Sequence, residues 1–131
     1  MPGGGAAHRH TVLVVEDDAD TREAFIALAE MVGLGAVGAP NGAEALDRLQ
    51  HGLRPCLIVL DIAMPHMDGF AFRRAQLADE ELACIPVAVM SGGGWAMESD
   101  ARNLGLSRFL RKPVEPEELL RLFTSHCDRS S

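Results

Sequence analysis

The chain has 131 residues, of which 47% are hydrophobic and 24% charged, and its formal net charge is -7. It has the length of one ordinary domain, can bury a core without disulfide or metal staples, and lies outside the compositional range of disordered chains. The acidity excludes a direct nucleic-acid-binding surface, which needs clustered Lys and Arg. The longest apolar runs, Leu57 to Leu60 and Pro86 to Met90, are far too short to span a bilayer, and the N-terminus lacks the apolar stretch of a signal peptide. A cytoplasmic protein without membrane contact is therefore expected. Cys56, Cys84 and Cys127 are odd in number, widely spaced and without a CxxC pair, so reduced thiols are expected.

Residues 1–10, MPGGGAAHRH, combine a glycine run with polar residues and show no periodicity, the composition of a disordered tail. Val12 to Val15 form a continuous apolar run of the kind buried on both faces of a parallel sheet, and the run stops in acid at Glu16, Asp17 and Asp18. From about Asp20 to Val32, the residues Phe25, Leu28, Ala29 and Val32 fall at helical spacing, and Gly33 follows as a C-terminal cap. A weak strand over Gly35 to Ala39 precedes Asn41, a good N-cap for a helix through Ala43, Ala45, Leu46 and Leu49.

Leu57 to Leu60 repeats the buried-strand pattern and ends at Asp61, after which Asp68 caps a third helix through Phe70 and Leu77. Ile85 to Met90 is a fourth strand ending at Ser91, followed by Gly92, Gly93 and Gly94. A fourth helix lies between Trp95 and Leu104 and finishes at Gly105; the short strand Ser107 to Leu110 then runs into Lys112 and Pro113. Pro116 opens a last helix, with Glu117 and Glu118 matching its dipole and Leu119, Leu122 and Phe123 inward. Five strands alternating with five helices imply an α/β fold, a doubly wound parallel sheet with right-handed crossovers. One domain is expected over residues 11–125, with 126–131 as a frayed tail.

Ligands of such sheets bind at the carboxyl ends of the strands. Those ends carry Glu16 and Asp17, Asp61, Ser91 and Lys112, so three carboxylates, a hydroxyl and an ammonium converge on one crevice. Three like charges invite a divalent cation, and oxygen-only ligation favours Mg²⁺, with Mn²⁺ as the other candidate. Mg²⁺ keeps room for a phosphoryl group, whose equatorial oxygens the cation, Lys112 and the Ser91 hydroxyl could each neutralise, while Asp61 serves as nucleophile. Taken singly, each residue has a plainer reading: Asp17 and Asp18 as helix caps, Asp61 as a turn residue, Lys112 as a surface charge. Jointly, five polar groups at four strand ends favour chemistry. Arg73 and Arg74 read as solvated helix charges, and His51, His66 and His126 as surface residues without partner spacing. Met64, Met67 and Met90 read as packing residues.

In order and spacing, VLVVEDD, LIVLDIAMPHMDG, VAVMSG and RFLRKP resemble the motifs of response-regulator receiver domains over about residues 11 to 124. The resemblance implies a flavodoxin-like sheet of order 2-1-3-4-5 and a two-component or phosphorelay switch that catalyses only its own phosphorylation and dephosphorylation. It further implies Asp61 as phosphoacceptor, Glu16, Asp17, Asp61 and the backbone carbonyl of Ala63 as Mg²⁺ ligands, and Lys112 as the phosphate-pairing lysine before a cis Pro113. Ser91 is similar to the switch hydroxyl and Phe109, where tyrosine is frequent, to the switch aromatic.

The implied partners are a histidine kinase or histidine phosphotransfer protein as donor. A downstream protein would read the face of the fourth helix, fifth strand and fifth helix. A receiver fragment of a hybrid kinase or larger regulator is the alternative. An aspartyl-phosphate phosphohydrolase would need a second carboxylate two residues past the nucleophile, and Ala63 stands there.

Overall fold

The computed structural model describes residues 10–62, 68–92, 95–106 and 108–127, apart from the side chains of 95–98, 126 and 127. Its elements follow one another as β1 (Thr11–Val15), α1 (Ala19–Met31), β2 (Gly35–Ala39), α2 (Gly42–Gln50), β3 (Leu57–Asp61), α3 (Gly69–Leu77), α4 (Glu80–Ala83), β4 (Val87–Ser91), α5 (Trp95–Asn103), β5 (Arg108–Arg111) and α6 (Pro116–Cys127). The strands form one all-parallel sheet in the order β2-β1-β3-β4-β5, as expected. Among the described residues, the one helical segment beyond the five expected is the single turn α4.

Side chains of a strand alternate between faces, so each strand feeds two cores. Leu13, Val15, Ile58, Leu60 and Val89 pack with Leu49 of α2 and Phe72 of α3 on one face. Val12, Val14, Val59 and Met90 pack with Phe25 and Ala29 of α1 and with Leu119, Leu122 and Phe123 of α6 on the other. Burial on both faces explains why β1, β3 and β4 read as unbroken apolar runs. Each fully buried aliphatic side chain contributes about 1.5–3 kcal/mol relative to exposure. The expected caps form: Asn41 accepts from the backbone N–H of Glu44 at 2.9 Å, and Asp68 from that of Ala71 at 2.9 Å.

Three expectations fail. Leu77 ends α3 but is 41% exposed, and the buried stripe of that helix is Gly69, Phe72, Arg73 and Gln76, at i, i+3, i+4 and i+7. Two polar members hid that stripe from a search for apolar periodicity. Arg73 is accordingly not a solvated charge but a buried one, whereas Arg74 is exposed. Cys56, at the mouth of β3, is disulfide-bonded, while Cys84 is a free, exposed thiol; the side chain of Cys127 lies outside the described residues. Its presence was not legible because spacing along a chain says nothing about distance across a fold. His51, finally, has a partner at i−4: its Nδ1 lies 2.8 Å from the Asp47 carbonyl oxygen and 3.4 Å from Asp47 Oδ1.

Candidate functional site

The polar residues of the crevice are fixed by backbone bonds that extend the sheet one residue beyond its strands. The N–H of Glu16 donates to the Ala39 carbonyl at 3.0 Å, that of Ile62 to Met90 at 3.1 Å, and that of Lys112 to Ser91 at 2.8 Å. These bonds bring Glu16, Asp61, Ser91 and Lys112 to the carboxyl edge of the sheet. Asp18 then turns the chain into α1, its side chain accepting from the Thr21 N–H at 2.9 Å. Those bonds to Thr21 also hold the Asp18 carboxyl below its ordinary range. Asp18 is thus a helix cap, and Asp17 alone of that pair turns into the site.

One oxygen from each of Glu16, Asp17 and Asp61 lies within 4.8 Å of the others. Glu16 and Asp61 are buried and Asp17 is exposed. Unit charges about 5 Å apart repel by roughly 3 kcal/mol at an effective dielectric of ~20, so the cluster cannot stand uncompensated. Lys112 supplies part of the balance, its Nζ donating to Asp61 Oδ2 at 2.8 Å. Partial burial pulls the Lys112 ammonium down, but the bond to Asp61 and the charges of Asp61, Glu16 and Asp17 outweigh it and hold the group above its ordinary value. Burial pushes the Glu16 carboxyl up to about 7, opposed by a hydrogen bond from the Asp18 N–H at 3.1 Å and reinforced by Asp61 and Asp17. With all three carboxylates ionised against one ammonium, two negative charges remain, the complement of a divalent cation, and hard oxygen donors suit Mg²⁺.

Ser91 is buried at the end of β4. Phe109 is half-buried in β5, in register with Val89, with the Arg102 guanidinium carbon 5.1 Å from its ring centroid. The Lys112–Pro113 peptide is cis, as the resemblance implied. Ala63, together with Met64, Pro65, His66 and Met67, lies outside the described residues.

Two features escaped the sequence reading. Arg22 Nη1 donates to the Glu16 carbonyl oxygen at 2.8 Å and so clamps the acidic turn, and its aliphatic stem lies over Gly38, where a Cβ would come within 2.9 Å of it. Beside the acids, a cleft of about 830 Å³ runs between α1 and the start of α6, lined by Phe25, Leu28, Met90, Lys112 and Val114. Gly69 is a third essential part that the motif did show. A Cβ there would meet the Ile62 Cα at 2.7 Å, and the Gly69 N–H donates to the Ile62 carbonyl at 3.0 Å.

A 2-1-3-4-5 parallel sheet with an acidic cluster, a central Asp and a Lys at its carboxyl edge defines the chemotaxis-regulator type of signalling domain. The sequence profile of the response regulator receiver domain matches residues 12–124, and the chain belongs to that family. A 14.6 kDa protein from Leptolyngbya boryana is 40% identical over 121 residues, 88% of either chain. The response regulator Rre1 of Synechocystis is 35% identical over 111 residues, 83% of this chain but 48% of its own length, so the chain spans about half of that longer relative. The crystal structure of a response regulator receiver protein from Pseudomonas putida superposes with a TM-score of 0.81 at 36% identity, covering 88% of this chain and 96% of that one. No helix among the described residues is long and apolar enough to cross a membrane.

Proposed function

We propose that this chain is a cytoplasmic phosphoacceptor switch that takes a phosphoryl group from a phosphohistidine onto Asp61. The observation that carries the reading is the 2.8 Å pairing of Lys112 with Asp61 beside the carboxylates of Glu16 and Asp17. An Asp61 oxygen attacks the phosphorus, the P–N bond to the donor imidazole breaks, the imidazole leaves with the bonding electron pair, and an acyl phosphate remains on Asp61. Lys112 and the Ser91 hydroxyl neutralise phosphoryl oxygens. Glu16, Asp17 and Asp61 would hold Mg²⁺, which supplies the remaining charge compensation. The donor is a histidine kinase or a histidine phosphotransfer protein, and the cleft along α1 offers it room beside the acids.

Once phosphorylated, the site draws Ser91 toward the phosphoryl group, Phe109 turns inward from beneath Arg102, and the face of α5, β5 and α6 changes shape for a downstream protein. Only the contacts that differ between the two states drive this shift. Incubation with a small phosphodonor and Mg²⁺ should add one phosphoryl group to the intact mass of the wild type and none to Asp61→Asn. Equal labelling of both would overturn the assignment. Ser91→Ala should accept phosphate with much smaller amide shifts on the α5–β5–α6 face.

A further inference from the structure

At the opposite, amino edge of the sheet lies a second polar arrangement that phosphoryl transfer does not use. Arg73 of α3 is 9% exposed, and its guanidinium is held by neutral acceptors alone. Its Nε donates to the Leu104 carbonyl at 3.0 Å and its Nη1 to Gln76 Oε1 at 2.8 Å, while Gln76 Nε2 donates to the carbonyls of Leu82 at 2.8 Å and Ile85 at 3.0 Å. Among the described residues no carboxylate pairs with Arg73. Glu81 of the adjoining α4 is committed to Arg54 at 2.9 Å. A buried cation is ordinarily matched by an anion, because hydrogen bonds to neutral groups leave its charge uncompensated. In keeping with this, burial alone sets the Arg73 guanidinium below its ordinary value, with no acid opposing it.

The third nitrogen, Nη2, makes no hydrogen bond among the described residues and lies against Gly105, 3.3 Å from the position a Cβ would take there. Gly105, at φ +80°, lines a cleft of about 210 Å³ between the amino ends of β4 and β5, together with Arg73, Arg108, Cys84, Ile85 and Val87. Among the described residues that line it, the cleft has two arginines, Arg73 and Arg108, and no acid, in a chain whose net charge is -7. The cleft is smaller than the ~300 Å³ lower bound of pockets for drug-sized ligands, yet has room for one tetrahedral or planar oxyanion and a few waters of ~30 Å³ each. Guanidinium forks match the paired oxygens of phosphate and carboxylate.

From this geometry we infer that the Arg73–Arg108 cleft is a binding site for a single small oxyanion, of the phosphate or carboxylate class, separate from the Asp61 crevice. An occupant would tie α3, which follows the acceptor loop, to the C-terminal end of α5 at Leu104 and Gly105.

The test is a titration of the full chain with inorganic phosphate, and in a parallel arm with acetate, at constant ionic strength and with EDTA present to keep metal from the crevice. The Arg73 Nε–H and the amides of Gly105 and Ile85 are followed by NMR. A saturable shift of these signals with either anion is expected, and the arm that binds more tightly names the class. Arg108→Gln, a surface change that leaves the fold intact, should weaken binding about tenfold, and Asp61→Asn should not alter it. The inference is overturned if these signals stay fixed up to about 50 mM of both anions, well above the millimolar Kd expected of a one-anion site. It is equally overturned if the shifts centre on Gly92 and Lys112, or if Arg108→Gln binds as the wild type does.

Discussion

The molecule buries charge at both edges of its sheet and handles it in two opposite ways. At the carboxyl edge, Glu16, Asp17 and Asp61 crowd together and the Lys112 ammonium pairs with Asp61. At the amino edge, the Arg73 guanidinium is surrounded by carbonyl and amide oxygens that satisfy two of its nitrogens but not its charge. The first arrangement spends fold stability on a site that a ligand must complete. The second uses a buried ion chiefly as a staple, since Arg73 and Gln76 together bond the carbonyls at Leu82, Ile85 and Leu104, where α4 and α5 end. Excess like charge signals chemistry, whereas a hydrogen-bonded lone charge signals architecture first.

The sharpest way to break this comparison is to remove the staple. Gln76→Leu keeps volume but strips Arg73 Nη1 of its acceptor and the Leu82 and Ile85 carbonyls of the bonds from Gln76 Nε2. A loss of about 3 kcal/mol in urea-unfolding stability is expected. A loss under ~0.5 kcal/mol, the scale of an ordinary surface change, would mean that the network carries no stability.

The crevice should respond to a ligand instead. Mg²⁺ at a hundredfold excess over its Kd should add about 2.7 kcal/mol to unfolding stability by mass action, read as a rise in Tm, and Asp17→Asn should lose most of that gain. Indifference of both proteins to Mg²⁺ would contradict the reading of these acids as a metal site.

Without metal, the crevice should also leave a signature in pH. The Glu16 carboxyl sits at about 7 in the folded chain against 4.5 for an ordinary one, so the native state binds the proton more tightly than the unfolded state. Stability is then greatest below about pH 4.5 as far as this group is concerned, and falls as pH rises toward about 7, by on the order of 2 kcal/mol. Glu16→Gln should flatten that decline in a series of denaturant midpoints. A decline of equal slope in the variant would assign it to other groups.

The smallest effect belongs to charge that is not buried at all. Glu81→Gln breaks the exposed pair with Arg54 and should cost no more than about 0.5 kcal/mol, further reduced by salt.

Most of the crevice was legible because chain direction does the work: in a parallel sheet the residue that ends an apolar run is delivered to a shared edge, so Asp61, Ser91 and Lys112 could be grouped without coordinates. The apolar runs themselves were legible through double-sided burial. Arg73 and Gln76 were not, because polar residues within a helix look solvated unless the partners are known, and theirs are carbonyls remote in the chain: Leu104 lies 31 residues from Arg73. Arg22 escaped for the same reason, since its target is the Glu16 backbone, which every residue type shares. The Cys56 disulfide likewise depends on distance across the fold.

One feature has a bearing on how this chain can evolve. Where Gly69 presses on Ile62, with its N–H on the Ile62 carbonyl at 3.0 Å, the first residue of α3 is anchored to the residue that follows Asp61. The end of β3 and the start of α3 thus set each other's position through backbone contact rather than through side chains. The constraint concentrates on Gly69, where a Cβ would meet the Ile62 Cα and push the two elements apart.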